Sequence, residues 1–269
     1  MLIKDQVEEK LKVLTKHKFV HITDRCNSAI FVAMSIAKNA SESNKILIPD
    51  QGGWFSYKKY PKYFDLEIVE VRTDKGVIDL EDLKEKVKDA SGFIFSSFAG
   101  YYAEQPLEGL SSICREAGCL IIEDASGSVG DETLCNGDLS DIIVGSFGQW
   151  KPVDCGCGGF ISISNSKLRD LGKDALSISK VHPATYEEIL KGLESNKLRK
   201  LLELQKHVKE ELKEFEIFHK DKRGVNVVVA KNPEIIKYCN DKNYPYVICP
   251  KYIRVNEEAI SIELKRLDL

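Results

Sequence analysis

Short runs rich in apolar residues alternate along the chain with stretches in which apolar positions recur at helical spacing. The runs are Phe19-Val20-His21-Ile22, Ile46-Leu47-Ile48, Leu66 to Val71, Phe93-Ile94-Phe95, Leu120-Ile121-Ile122, Ile142-Ile143-Val144 and Phe160-Ile161-Ser162-Ile163. The continuous ones, Phe93-Ile94-Phe95 and Leu120-Ile121-Ile122, suit strands covered on both faces. Between them, residues 2–14 place Leu2, Val7, Leu11 and Leu14 near helical spacing. A second helix opens at Asn27-Ser28 and runs through Ala40, and further helices are expected over 79–87 and 107–117. Alternation of strand and helix predicts a mostly parallel sheet with helices on both sides.

The texture changes after about residue 180. Residues 186–215 form a long Lys/Glu/Leu-rich helical pattern with Leu190, Leu193, Leu198, Leu201, Leu204 and Val208 on its apolar face. A strand over 225–230, a helix opened by Asn232-Pro233 and strands over 246–255 and 259–264 follow. The expected division is a large α/β domain over 1–180, then a linking helix and small α+β domain over 181–269. No internal repeat or low-complexity tract is visible.

Composition narrows the function. The 269 residues carry 39 basic and 42 acidic side chains, a formal charge of −3, and the chain is 43% hydrophobic. No basic stripe with interleaved aromatics exists, so a nucleic-acid partner is not expected. No apolar run approaches the ~18 residues of a membrane span, so no membrane partner is expected. Asp5, Glu8 and Glu9 interrupt the first fifteen residues, which therefore do not read as a signal peptide. A cytoplasmic protein is the expectation. The eight cysteines are scattered, only Cys155 and Cys157 being close, and the five histidines are dispersed. That spacing points to reduced thiols and no metal site.

The candidate chemistry lies in two stretches, 121–128 and 145–159. Asp124 follows a buried run, where open α/β sheets place ligand-binding groups. Lys151, twenty-seven residues on, precedes the glycine-rich turn Gly156-Cys157-Gly158-Gly159. Alone, Asp124 reads as a helix cap and Lys151 as a solvated lysine. Together with Glu123 and Ser146-Phe147 they form a pattern that resembles the fold-type I pyridoxal-phosphate enzymes, most closely the DegT/DnrJ/EryC1/StrS aminotransferases. The resemblance also takes in Ser28-Ala29, Pro49 ahead of an aromatic loop, and the stretch from Ile78 through Gly100. It is specific over residues 20–163 and loose beyond 184.

The resemblance implies a fold-type I large domain, pyridoxal 5′-phosphate as cofactor, a small-molecule amino donor and acceptor, and a homodimer. It makes Lys151 the Schiff-base amine and Asp124 the carboxylate paired with the cofactor's ring nitrogen. Asn27 and Ser28 at a helix N-terminus, with Ser146, become the phosphate cup, and Trp54 the stacking ring. Physical chemistry agrees with these roles: an electron-sink cofactor needs an amine tether, a protonated ring nitrogen and donors for its phosphate. The chain departs from the family pattern at Gly127, where the family commonly has Gln, at Cys157 in place of an acidic residue, and near Val181-His182-Pro183. Two other readings are a pyridoxal-phosphate lyase or desulfurase, motivated by Cys155 and Cys157, and a regulatory protein with a degenerate cofactor site. Arg254 is expected to be a surface residue on a strand and is not counted in the site.

Overall fold

The apolar runs do pair into one sheet. In the computed structural model, which describes residues 2–269, its strands are β1 (Phe19–Thr23), β2 (Lys45–Pro49), β3 (Glu67–Val71), β4 (Gly92–Ser96), β5 (Leu120–Asp124), β6 (Ile142–Ser146) and β7 (Gly159–Ile163). They lie in the order β1-β7-β6-β5-β4-β2-β3. Neighbours from β6 to β3 pair in parallel, and β7 runs antiparallel to both β6 and β1. The carboxyl ends of six strands therefore share one edge of the sheet.

Side chains alternate between the two faces of each strand, and both faces are covered. Ile46, Ile48, Ile94, Ile122, Ile142 and Val144 pack with Ala29, Ala33 and Ile36 of α2 (Cys26–Ala40), after α1 (Ile3–Thr15) has opened the chain. α3 (Phe55–Lys59) sits in the aromatic loop after β2. Leu47, Phe93, Phe95 and Ile121 face the other way, toward Leu83 of α4 (Leu80–Lys86) and Leu107 and Leu110 of α5 (Leu107–Ala117). α4 starts where Asp79 accepts hydrogen bonds from the backbone N–H groups of Glu81 and Asp82.

Two short helices not expected from the apolar pattern, α6 (Ser166–Leu171) and α7 (Lys173–Ile178), follow β7 and cover α2. The long pattern expected over 186–215 is two helices, α8 (Thr185–Leu193) and α9 (Lys197–Glu211). The break falls at Glu194-Ser195-Asn196, where Ser and Asn side chains compete with helical backbone bonding. α8 packs on α1, its Ile189 beside Val7 and Leu11. α9 sends Leu201 and Val208 into the cluster that holds Phe93 and Leu107.

The C-terminal unit has an antiparallel sheet, β8 (Val227–Ala230), β9 (Tyr246–Ile248) and β10 (Ala259–Ile262), ordered β8-β10-β9 and covered by α10 (Pro233–Asp241). The strand expected over 246–255 ends at Ile248, since Pro250 has no N–H for the ladder. Val227, Val229, Ile260 and Ile262 join the cluster under β4 and α5. One continuous core thus ties the small sheet to the large one, and it brings the loop 249–255 and the segment after β10 to the carboxyl edge of the large sheet.

Candidate active site

β1, β5 and β6 deliver the site's first residues to that edge. Asp124 is the last residue of β5 and Ser146 the last of β6, while only Asp24 and Arg25 separate β1 from α2. Its N-cap, Arg25, makes no side-chain capping bond, so the first turn of α2 opens onto the space between these strand ends. The loop from β6 returns through Gly158, at φ +89°, and Gly159. A Cβ on Gly159 would lie 2.5 Å from the Cys26 amide nitrogen and 2.8 Å from the Gly145 carbonyl oxygen. Only glycine lets the loop pass so close to the start of α2.

A cleft of about 410 Å³ lies there, bordered by Arg25, Asn27, Trp54, Asp124, Ser146 and Lys151 among others. The Asp124 carboxylate is nearly buried and doubly held. Its Oδ2 accepts from the Tyr57 hydroxyl at 2.7 Å and its Oδ1 from the Ser126 amide at 3.0 Å. Burial, reinforced by the charge of Asp124, pushes the Tyr57 phenol well above its usual range, so it stays a donor. Asn27 Oδ1 accepts from the Trp54 indole at 2.8 Å and from the Ser56 hydroxyl at 2.9 Å, which fixes the indole at the cleft.

Lys151 Nζ donates to the Tyr101 hydroxyl at 2.6 Å and lies 4.4 Å from the centre of that ring and 5.9 Å from that of Trp54. Among the described residues it has no carboxylate partner. Tyr101 holds φ +72°, a left-handed conformation uncommon for a bulky residue and one that aims its ring across the cleft. A Cβ on Gly127 would meet that ring at 3.0 Å. The missing side chain at position 127 is therefore space that Tyr101 fills.

The far wall comes from the C-terminal unit. Arg254, expected at the surface, is 3% exposed. Its Nε and Nη2 donate to the two oxygens of Glu263 at 2.7 and 2.6 Å. The pairing and burial of a strand-end glutamate caused that departure, because an isolated Glu263 could not remain charged there. Desolvation opposes charge on Glu263, but the Arg254 guanidinium prevails and holds its carboxyl down at about 2. Lys265 and Arg266 complete this wall.

Of the residues singled out from sequence, Asn27, Trp54, Asp124, Ser146 and Lys151 meet in the cleft. The Ser28 hydroxyl turns instead to Asp24 Oδ1. Sequence reasoning missed Arg25, Tyr101, Lys265 and Arg266. Arg25 was detectable as the cation ahead of the α2 signal. The other three come from a loop and from the chain's last residues, with no local motif to mark them.

Residues 3–214 match the model of the DegT/DnrJ/EryC1/StrS aminotransferase family, and residues 195–269 that of the MJ1341 family C-terminal domain. A stretch of 92 residues is 36% identical to the probable glycine dehydrogenase (decarboxylating) subunit 1 of Pyrococcus furiosus. It covers 33% of this chain and 20% of that relative, so the match spans a fifth of the relative's length. The putative sugar aminotransferase Spr1654 of Streptococcus pneumoniae, in its PLP form, superposes with TM-score 0.75 at 10% identity, over 98% of this chain and 86% of that one. A cysteine desulfurase from Thermococcus onnurineus NA1 gives 0.74 at 12% identity, over 96% and 78%. At these identities the likeness is one of fold: the mixed α/β architecture of fold-type I enzymes with a C-terminal unit. Among the described residues no helix is long and apolar enough to cross a membrane.

Proposed function

The chain belongs to the DegT/DnrJ/EryC1/StrS aminotransferase family, and on that premise we propose that it is a pyridoxal-phosphate-dependent aminotransferase acting on a small amino or keto substrate, with Lys151 as the amine that carries the cofactor through a Schiff base. One observation carries this reading: an amine without a carboxylate partner and a doubly held buried carboxylate face the same cleft.

The donor set suits the cofactor. The first turn of α2 with Arg25 and Ser146 offers donors and positive charge to a phosphate. Trp54, pinned by Asn27, offers a flat face to the ring. Asp124, oriented by Tyr57 and Ser126, is the carboxylate for a protonated ring nitrogen. When bound, the cofactor supplies the electron sink that lets a bond at the substrate's Cα break. Lys151 Nζ then takes the Cα proton and returns it on the other side of the exchange, with the Tyr101 hydroxyl as its hydrogen-bond partner between the two transfers.

The desulfurase reading is weaker. Cys155 Sγ donates to the Glu188 carbonyl at 3.2 Å, and burial pushes its thiol up to about 12, away from the thiolate a sulfur acceptor needs. The stretch shared with the glycine dehydrogenase subunit supports a second reading, a pyridoxal-phosphate enzyme acting on an amino acid by decarboxylation.

We keep the division into 1–180 and 181–269 as a proposal, with α8 as the connection that stays packed on α1. A cytoplasmic homodimer is proposed as well. Its support is the unpaired state of all eight cysteines and the exposure of Val13 and Ile178 at 77% and 80%.

The test is to incubate the protein and cofactor with amino acids one at a time and identify products by mass. Release of a 2-oxo acid with retention of the amine on the protein is expected. Carbon dioxide in place of a 2-oxo acid would favour decarboxylation, and no product from any amino acid would overturn the aminotransferase reading.

A further inference from the structure

Cys155 and Cys157 occupy different surroundings although a single residue separates them. Of the eight cysteines six are buried, while Cys155 is half-buried and Cys157 exposed. Cys155 Sγ donates to the Glu188 carbonyl of α8 at 3.2 Å. Its seat is tight: a Cβ on Gly192, one turn further along α8, would lie 3.2 Å from that sulfur. Among the described residues no hydrogen bond holds the Cys157 thiol. Gly156 between them has φ +73°, and the chain bends there. Nothing lies within 4 Å of a Cβ placed on Gly156, so the pair has open space beside it.

The same loop carries Lys151. Asp154, next to Cys155, accepts from the Trp150 amide at 2.7 Å through Oδ2 and from the Gly156 amide at 3.1 Å through Oδ1. The Cys155 amide donates to the Phe147 carbonyl at 2.8 Å, and the Phe147 amide to that of Gly158 at 3.0 Å. Residues 147–158 are thus one hydrogen-bonded body between β6 and β7. Trp150 holds φ +65°, a left-handed conformation that is costly for a bulky residue. The bond from its amide to Asp154 therefore helps to hold Lys151 in place.

We propose that Cys155 and Cys157 are a redox-sensitive dithiol, closed to a disulfide by a small-molecule disulfide of the glutathione type, and that closure loosens the loop holding Lys151. Two peptide steps keep their Cα atoms within about 7 Å, and a disulfide spans about 4.4–6.8 Å. The bend at Gly156 brings the pair into that range, but Cys155 must leave α8 to close the bond. The exposed Cys157 attacks first, as thiolate: a bond forms to one glutathione sulfur, the glutathione S–S bond breaks, and one glutathione thiolate leaves. Burial pushes the Cys155 thiol up to about 12 while it is seated on α8. Once in water it regains ordinary thiol acidity, attacks the Cys157 sulfur and expels the second glutathione. The two cysteines lose two electrons and two protons, and the oxidant becomes two thiols. Disulfides of this kind in a reducing compartment are transient and redox-sensing. The effect on cofactor binding rests on reading Lys151 as the cofactor's amine, whereas formation of the disulfide does not.

The full chain is incubated with oxidised glutathione, denatured, alkylated at its free thiols and mapped by mass. One internal disulfide in the peptide holding Cys155 and Cys157 is expected, reversed by dithiothreitol, with the six buried cysteines alkylated. Cys157→Ser should take up no glutathione, and Cys155→Ser should stop at a mixed disulfide on Cys157. Hydrogen exchange over residues 147–156 should speed about tenfold or more when the parent is oxidised. It should not change in Cys157→Ser, which alters an exposed side chain and keeps the fold. Borohydride trapping on Lys151 should need about tenfold more pyridoxal phosphate after oxidation. The switch is refuted if the parent stops at the mixed disulfide or if Cys155 pairs with another cysteine. It is refuted equally if exchange over the loop stays the same, or if Lys151 traps cofactor equally well in both states. Those results with normal trapping sink the switch alone. A disulfide that speeds exchange in a protein that traps no cofactor on Lys151, reduced or oxidised, sinks the aminotransferase reading alone.

Discussion

The Tyr57 hydroxyl donates to Oδ2 of Asp124 at 2.7 Å, across 67 positions of sequence and inside the core beneath the cleft. The same hydroxyl lies 3.1 Å from Ser96 Oγ, so the phenol links the ends of β4 and β5. Asp124 is thereby aimed as well as buried, and its remaining bond to the Ser126 amide fixes the other oxygen.

Tyr57→Phe removes that aim while leaving the ring's packing. A buried carboxylate that loses one donor costs about 1–3 kcal/mol. The variant should melt lower than the parent, keep its cofactor, and exchange substrate α-protons more slowly. Calorimetry and exchange in heavy water, read together, check this.

Asp124→Asn goes further, because a neutral amide cannot pair with a protonated ring nitrogen. Removing one partner of a partly buried charge pair costs ~3–5 kcal/mol, or a rate loss of ~10² to 10³ or more. Cofactor should still bind through Lys151, with the loss concentrated in proton exchange at Cα. Exchange at the parent rate would remove Asp124 from the ring nitrogen.

Tyr101→Phe deletes only the oxygen that accepts from Lys151 Nζ. A hydrogen bond to a charged group is worth about 1.5–3 kcal/mol, so turnover should fall about ten- to hundredfold. Substrate affinity should change little, because the ring stays in place. A rise in KM with unchanged kcat would assign Tyr101 to binding rather than to proton transfer.

The Arg254–Glu263 pair should leave a mark on acid stability. Glu263 has its carboxyl held at about 2, below its ordinary 4.5. A depressed acid contributes stability above its unfolded value, and that stability is lost as pH falls from about 4.5 toward 2. The shift corresponds to on the order of 3 kcal/mol. Glu263→Gln should flatten the fall in melting temperature over that window, and it should destabilise the protein at pH 7 by leaving Arg254 buried without its counter-ion.

The fold was legible where sequence carries its own periodicity. The runs at 46–48, 93–95, 120–122 and 142–144 became the inner strands, since strands covered on both faces must be apolar throughout. Asp124, Ser146 and Lys151 were legible for a related reason: strand ends and a glycine-rich return loop are local signals. Tyr101 and Lys265 were not. Tyr101 reaches the cleft through a left-handed backbone that no pattern marks. Lys265 arrives because the small sheet shares a core with β4 and α5, a contact over more than a hundred residues. Arg254 read as a surface residue because its partner Glu263 is a neighbour in space through β10, outside any helical or strand repeat.

Everything turns on Lys151, and one measurement addresses it directly. The purified protein is saturated with pyridoxal phosphate, reduced with borohydride, digested and mapped by mass. The cofactor is expected on the peptide containing Lys151 and absent from Lys151→Ala, with Lys265 unmodified in both. Cofactor fixed to another lysine, or equally fixed in Lys151→Ala, would contradict it.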